Sequence, residues 1–113
     1  MKKYIFLLCV IILLINCQNQ NSVESFNYER DTPAWLKAKI DSMSTNKFYV
    51  GSKVYRHTWH YNYVYYIYVG LSSCMYCEVY YENGNKVKFM NDYMLQDYLN
   101  NRKNEILIWE WKD

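Results

Sequence analysis

The strongest constraint on the fold is the segment of residues 61–69, which reads Tyr-Asn-Tyr-Val-Tyr-Tyr-Ile-Tyr-Val. Aromatic and β-branched side chains favour strands because they pack well on a pleated, half-buried surface. No other part of the chain has such a dense strand pattern. The sequence therefore predicts a sheet that includes this segment.

Two further segments have strand character. Residues 48–55 bring β-branched and aromatic side chains, and we expect a turn near residues 60–62 to join them to the tyrosine-rich strand. Residues 106–111 are apolar at first and then alternate, which predicts a strand at the end of the chain.

A hairpin is predicted around Asn83-Gly84. This pair lies between residues 78–81 and 86–90, two short runs of strand-like composition. Asn-Gly between such runs is the strongest short-range hairpin signal, because both residues accept the left-handed backbone of a tight turn. The sheet should then have about five antiparallel strands.

Two helices are predicted. Thr32 supplies a hydroxyl for an N-cap and Pro33 suits the first helical position, so a helix should span residues 33–44. Asn91 can cap a shorter second helix that reaches residue 99. The predicted fold class is α+β, with the N-terminal helix packed on one face of the antiparallel sheet.

The N-terminus has the pattern of an export signal. Lys2 and Lys3 precede twelve residues, 4–15, that are apolar or aromatic and carry no charge. This length fits a signal peptide, whereas a helix that spans a bilayer needs about 20 apolar residues. The run ends at Asn16-Cys17 and resembles the lipobox of bacterial lipoproteins, which implies that Cys17 becomes the lipidated first residue of the mature chain.

This reading divides the chain into three parts. Residues 1–16 are the predicted signal peptide, residues 17–31 a lipidated tether and residues 32–113 a small α+β domain. The tether begins with a polar stretch that is too hydrophilic to fold alone. Gln18 follows the lipidated cysteine and, by resemblance to lipoprotein sorting rules, favours the outer membrane. The expected location is therefore the cell envelope, with the lipid anchor in the membrane.

The charge balance argues against nucleic acid as a partner. Beyond Lys2 and Lys3 the chain carries eleven Lys or Arg and eleven Asp or Glu. Nucleic-acid binding depends on a clustered basic face that releases counterions, and the sequence contains no such cluster.

The order of elements resembles a family of small bacterial lipoproteins whose domain has no assigned function. The matching features run from residue 33 to residue 113: the Pro-Ala-Trp-Leu helix start, the Lys-Val-Tyr-Arg strand at 53–56, the tyrosine-rich strand at 63–68, a cysteine-containing loop, the hairpin at 80–85 and the tryptophan-bearing end. The family's Gly-rich segment after the hairpin is absent here. The resemblance implies an envelope lipoprotein and supplies no reaction.

Cys74 and Cys77 form the most specific local motif, and this motif has three possible interpretations. Outside the cytoplasm thiols tend to be oxidised, which favours a local disulfide. A redox pair is a second reading, although such a pair belongs at a helix N-terminus and a strand-like run follows this one. The third reading adds His57 and His60, because two imidazoles and two thiolates could hold a tetrahedral zinc ion.

The tyrosines suggest a binding surface. Ten of them fall between residues 49 and 81, and alternation along a strand divides them between the two faces of the sheet. Tyr63, Tyr65, Tyr66 and Tyr68 are the candidates for a platform that contacts a protein or glycan ligand. The alternative is that the tyrosines simply cover a thin sheet.

No pattern in the sequence indicates catalysis. The acidic residues are scattered, none is paired beside a histidine, and three glycines leave no phosphate-binding loop. We therefore expect a binding module that is not an enzyme and uses no cofactor. The alternative is a metal-binding or thiol-redox accessory protein built on Cys74 and Cys77, with or without His57 and His60.

Overall fold

A computed structural model describes residues 25–112 of the chain. In chain order the elements are α1 (Tyr28–Asp31), α2 (Ala34–Ser44), a 3-10 turn (Lys47–Tyr49), β1 (Lys53–Trp59), β2 (Asn62–Tyr68), β3 (Val79–Tyr81), α3 (Asp92–Asn101) and β4 (Lys103–Glu110). The fold class is α+β, as predicted. Within the described range, no helix has both the length and the apolar character needed to cross a bilayer.

The described strands form one antiparallel sheet in the order β3-β2-β1-β4. β1 and β2 pair along their whole length with Trp59 opposite Asn62, so the turn between them contains only His60 and Tyr61. β3 is short, and β4 pairs with β1 through two register shifts.

One face of the sheet packs against α2. Leu36, Ile40 and Met43 recur at spacings of three and four, so they lie on one side of this helix, and all three are buried. The core on this side, which we call the first core, consists of Leu36, Ile40, Met43, Val54, Tyr65, Ile67 and Tyr80.

The other face of the sheet is also covered, which the sequence did not predict. Tyr98 of α3 is completely buried against it. This second core consists of Trp59, Val64, Tyr66, Val79, Val87 and Tyr98. Tyr65 and Tyr66 show why both faces need cover, because successive residues of β2 point to opposite sides and both rings are large and apolar.

The predicted fifth strand, at residues 86–90, is wrong. Lys86 forms a single bridge with Tyr80, and the next amide, that of Val87, donates to the carbonyl of Val79. The Val87 side chain enters the second core, and residues 88–90 leave the sheet on the way to α3. Because the Val87 side chain is drawn into the second core, the pairing with β3 stops at this residue and no second strand forms.

The turn of this hairpin is fixed by contact with α2. Gly84 has a φ of 92°, and a Cβ added there would lie 3.3 Å from the ring of Trp35. The indole nitrogen of Trp35 donates to the carbonyl of Glu82 at 2.9 Å. Glycine is thus required both by the left-handed backbone and by the closeness of the indole.

The strand predicted for residues 48–55 begins later than expected. The side chain of Asn46 accepts from the amide of Phe48 and starts the 3-10 turn, and Gly51 then reverses the chain with a φ of 79°. β1 starts only at Lys53. The aromatic composition around Phe48 favoured a strand, but local turn chemistry overrides that preference.

The helix expected over residues 33–44 occupies Ala34–Ser44, but its predicted cap is wrong. Pro33 is the N-cap residue, and the buried hydroxyl of Thr32 has no hydrogen-bond partner among the described residues. Asn91 does cap α3, because its side-chain oxygen accepts from the amide of Met94 at 2.9 Å.

Part of the segment predicted as a tether is helical. Asn27 caps α1 by accepting from the amide of Arg30, and Tyr28 packs against the first core. Ordered structure therefore begins before residue 32. The predicted signal peptide at residues 1–16, and Cys17, lie outside the described residues.

Candidate functional site

Cys74 and Cys77 are bonded to each other, with their Cα atoms 5.6 Å apart. Both are exposed, in the loop that leads into β3. The hydroxyl of Tyr66 donates to the carbonyl of Met75 at 2.9 Å, and the ring of Tyr76 packs on that of Tyr66. The bridged loop thus holds Tyr76 as a cover over the second core.

The four candidate tyrosines of β2 do not share a surface. Tyr65 is 1% exposed in the first core and Tyr66 is 8% exposed in the second, so neither ring is available to a ligand. Tyr63 and Tyr68 are partly exposed, on opposite faces of the sheet. The guanidinium of Arg56 already covers the ring of Tyr63 at 4.1 Å from the centroid.

The two candidate histidines have different environments. His57 is buried in β1, where its Nε2 lies 3.1 Å from a Glu105 oxygen and its Nδ1 lies 3.4 Å from the hydroxyl of Tyr98. Burial lowers the pKa of His57, and the hydrogen bond with Glu105 opposes that effect. In the part of the chain with described coordinates, no three His, Cys, Asp or Glu side chains are placed to hold a metal ion.

His60 lies at the edge of an open cleft at one end of the sheet. The antiparallel register places Trp59 and Asn62 opposite each other on the α3 side, and Tyr81 reaches the same side from β3. On α3, Tyr93 and Asp97 are four residues apart and therefore on one face of the helix. The cleft has a volume of about 390 Å³ and is lined by Trp59, His60, Asn62, Tyr81, Tyr93, Met94 and Asp97.

Asp97 is the polar centre of this cleft. One carboxylate oxygen accepts from Nε2 of His60 at 2.6 Å and lies 3.2 Å from the indole nitrogen of Trp59. The other accepts from the amide of Asn101 at 2.7 Å. The hydrogen bond from His60 is the main cause of a lowered pKa of Asp97, and the hydrogen bond from Asn101 is the second. These bonds tie the β1–β2 turn to α3 through one carboxylate.

The turn beside the cleft has an unusual backbone. His60 and Tyr61 have φ values of 50° and 64°, a conformation that two-residue hairpin turns require and that Asn and Gly adopt most easily. A left-handed backbone is unfavourable for a side chain as large as tyrosine. The ring of Tyr61 is fully exposed, whereas that of His60 contacts the indole of Trp59 with centroids 4.4 Å apart. Backbone strain of this kind often marks a functional position.

Two other concave regions have larger volumes. One, of about 490 Å³, lies beside β4 near Trp109 and Trp111. The other, of about 620 Å³, lies beside the bridged loop and is mainly apolar. The cleft at Asp97 differs because it combines an exposed aromatic ring with polar side chains that are held in place by hydrogen bonds.

Comparison with known proteins gave no match at the level of family models, curated proteins or solved structures. The assignment of the site therefore depends on geometry.

Most of the cleft was missed by sequence reasoning. Only His60 among its lining residues was a candidate, and it was considered as a zinc ligand. The Tyr93 and Asp97 pair carries a usable signal, since the two residues are spaced for one face of a predicted helix. The sequence could not show that this face would meet the tip of the β1–β2 hairpin.

Proposed function

We propose that this protein is a lipid-anchored lipoprotein of the bacterial cell envelope and that its folded part binds a ligand outside the cytoplasm. The anchor rests on the signal-like residues 1–16 and on the lipobox that ends at Cys17. The resemblance to small lipoproteins of unknown function agrees with this location and suggests no reaction.

The cleft around Asp97 is the observation that supports a binding role. Tyr93 is 84% exposed on its wall, so the ring can contact a ligand without breaking any packing of the free protein. Tyrosine is suited to this task because it offers a large, rigid contact area at low entropic cost. The cleft therefore has both an exposed contact surface and fixed polar groups.

Binding fits the geometry of Asp97 better than catalysis does. Its carboxylate is engaged by three donors, those of Trp59, His60 and Asn101. These bonds hold the carboxylate in one orientation and stabilise its ionised form. A group held in this way acts as a fixed hydrogen-bond acceptor, whereas a catalytic base must give up and take up protons near the working pH.

The anchor is tested by measuring the intact mass of the protein purified from native membranes. The proposal expects a chain that lacks residues 1–16 and carries acyl groups on Cys17. A full-length chain without acyl groups would contradict the lipoprotein assignment. It would not bear on the proposed binding role of the cleft.

The binding role is tested by photo-crosslinking in living cells. A benzophenone amino acid replaces Tyr93 in one strain and Ser42, which is exposed on α2, in a matched strain. Position 93 should give a discrete crosslinked species after irradiation, because a ligand in the cleft touches it. The absence of any product specific to position 93 would refute the binding role of the cleft.

A further inference from the structure

We infer that the ligand of the Asp97 cleft is a neutral carbohydrate, such as a segment of an envelope glycan. This inference rests on the proposed binding function and goes further by naming the chemical class of the ligand. Three properties of the lining residues support it: their charge, their unused hydrogen-bonding atoms and their exposed rings.

The charge of the cleft disfavours anionic ligands. Of the seven residues that line it, none is Lys or Arg, and Asp97 is acidic. A nucleotide or other phosphate ligand would meet a carboxylate with no Lys or Arg in the lining to pair with the phosphate. A cationic ligand is also disfavoured, because the donors of Trp59, His60 and Asn101 already occupy about three of the four lone-pair sites of the Asp97 carboxylate. The remaining class is a neutral, polar ligand.

Three polar side chains of the cleft, Asp97, His60 and Asn62, keep acceptor atoms that make no hydrogen bond within the described residues. A carboxylate has about four lone-pair sites, so the three donors on Asp97 leave about one site open. His60 uses Nε2 toward Asp97, and its Nδ1 makes no hydrogen bond to the described part of the protein. Asn62 uses its amide nitrogen toward the carbonyl of His60, and its side-chain oxygen has no partner within residues 25–112.

A set of fixed acceptors selects for hydroxyl donors. Each sugar hydroxyl can donate to one of these atoms and still accept a hydrogen bond from water or a tyrosine hydroxyl. A peptide backbone instead brings a carbonyl for almost every amide, and each carbonyl that becomes buried needs a donor. Among the fixed side chains of Asp97, His60 and Asn62, only the second N–H of the Asn62 amide could serve such a carbonyl.

The exposed tyrosine rings of the cleft also suit a sugar. Tyr81 and Tyr93 line the cleft from different elements, β3 and α3, and both rings are exposed. The faces of a sugar ring carry C–H groups, which pack on the electron-rich face of an aromatic ring. The cleft thus offers stacking for the ring faces and acceptors for the hydroxyl edge.

The test uses the protein purified from native membranes, in detergent, on two arrays, one of glycans and one of neutral peptides. Tyr93→Ala removes the exposed ring, and Met90→Ala is the matched control because Met90 is 80% exposed and does not line the cleft. We expect binding to a subset of glycans, weakened between about two-fold and ten-fold by Tyr93→Ala and unchanged by Met90→Ala. Asp97→Asn should also weaken the same glycans.

The outcomes separate this inference from the proposed function. Binding only to peptides, or glycan binding that Tyr93→Ala does not change, would overturn the carbohydrate assignment. If no glycan binds while the photo-crosslink at position 93 persists, the cleft is a binding site for another class of ligand. Loss of both signals would remove the binding function as well.

Discussion

Raising the pH above about 10 should destabilise this protein, and two adjacent tyrosines should contribute a large share of the loss. Tyr65 and Tyr66 are buried on opposite sides of β2, and burial raises the pKa of each phenol from 10.0 to about 12. A buried phenol resists ionisation because the phenolate would lose its hydration. In the unfolded chain both phenols regain their ordinary pKa.

The sign of the effect follows from proton linkage. Below pH 10 both phenols are protonated in the folded and unfolded chains, and their contribution to stability is complete. Above pH 10 the unfolded chain loses these protons first, so the free energy of unfolding falls until the pH passes the folded pKa of about 12. One pKa unit corresponds to about 1.4 kcal/mol, so each tyrosine accounts for about 2.7 kcal/mol, of which about half is lost by pH 11.

The assay is urea denaturation followed by tryptophan fluorescence at several pH values from 8 to 12. Together the two tyrosines should remove about 5 kcal/mol, which is comparable to the whole stability of a small domain. Tyr65→Phe should reduce the loss by about 2 to 3 kcal/mol, whereas Tyr61→Phe, on a fully exposed ring, should leave it unchanged. An identical pH dependence in Tyr65→Phe and the unmodified protein would refute the reasoning.

Three other predictions concern stability and can be measured by thermal or chemical denaturation. Replacing Cys74 and Cys77 together by Ser should lower the free energy of unfolding by about 2 kcal/mol, the loop-closure estimate for so short a loop, and equal stability of the two proteins would contradict it. Tyr61→Gly should stabilise the fold by about 0.5 to 1 kcal/mol, because it relieves a left-handed backbone without removing a packed side chain; a lower melting temperature would contradict this. Gly84→Ala should destabilise it by about 1 to 3 kcal/mol through its left-handed φ and its contact with Trp35, and an unchanged midpoint would argue against both causes.

Local patterns predicted the main elements of the fold. The tyrosine-rich segment is β2, Asn91 caps α3, and the Asn83-Gly84 turn is present. These features depend on side-chain alternation, capping and turn chemistry, all of which act over a few residues. The fifth strand failed because Val87 is drawn into the second core, and that depends on contacts with residues far away in the chain.

The position of the cleft could not be derived in the same way. Its residues come from three regions: the end of β1 and start of β2, the end of β3, and the first turns of α3. They meet only because α3, which the sequence predicted as a helix without placing it on the sheet, covers the second face. The site therefore depends on a layer of the fold that local patterns did not show.

Polar residues whose hydrogen-bonding atoms all have partners stabilise this fold, whereas those with an atom left over are available to a ligand. His57 is the strongest histidine candidate by burial, yet both of its ring nitrogens have partners, Glu105 and Tyr98. His60 is exposed and held by Asp97 through one nitrogen, so its position is fixed while the other nitrogen is left for a new bond. A side chain that is held in place but keeps one hydrogen-bonding atom free is suited to binding a ligand. The ligand adds a hydrogen bond without the entropic cost of ordering the side chain. By this criterion His60, and not His57, belongs to the site.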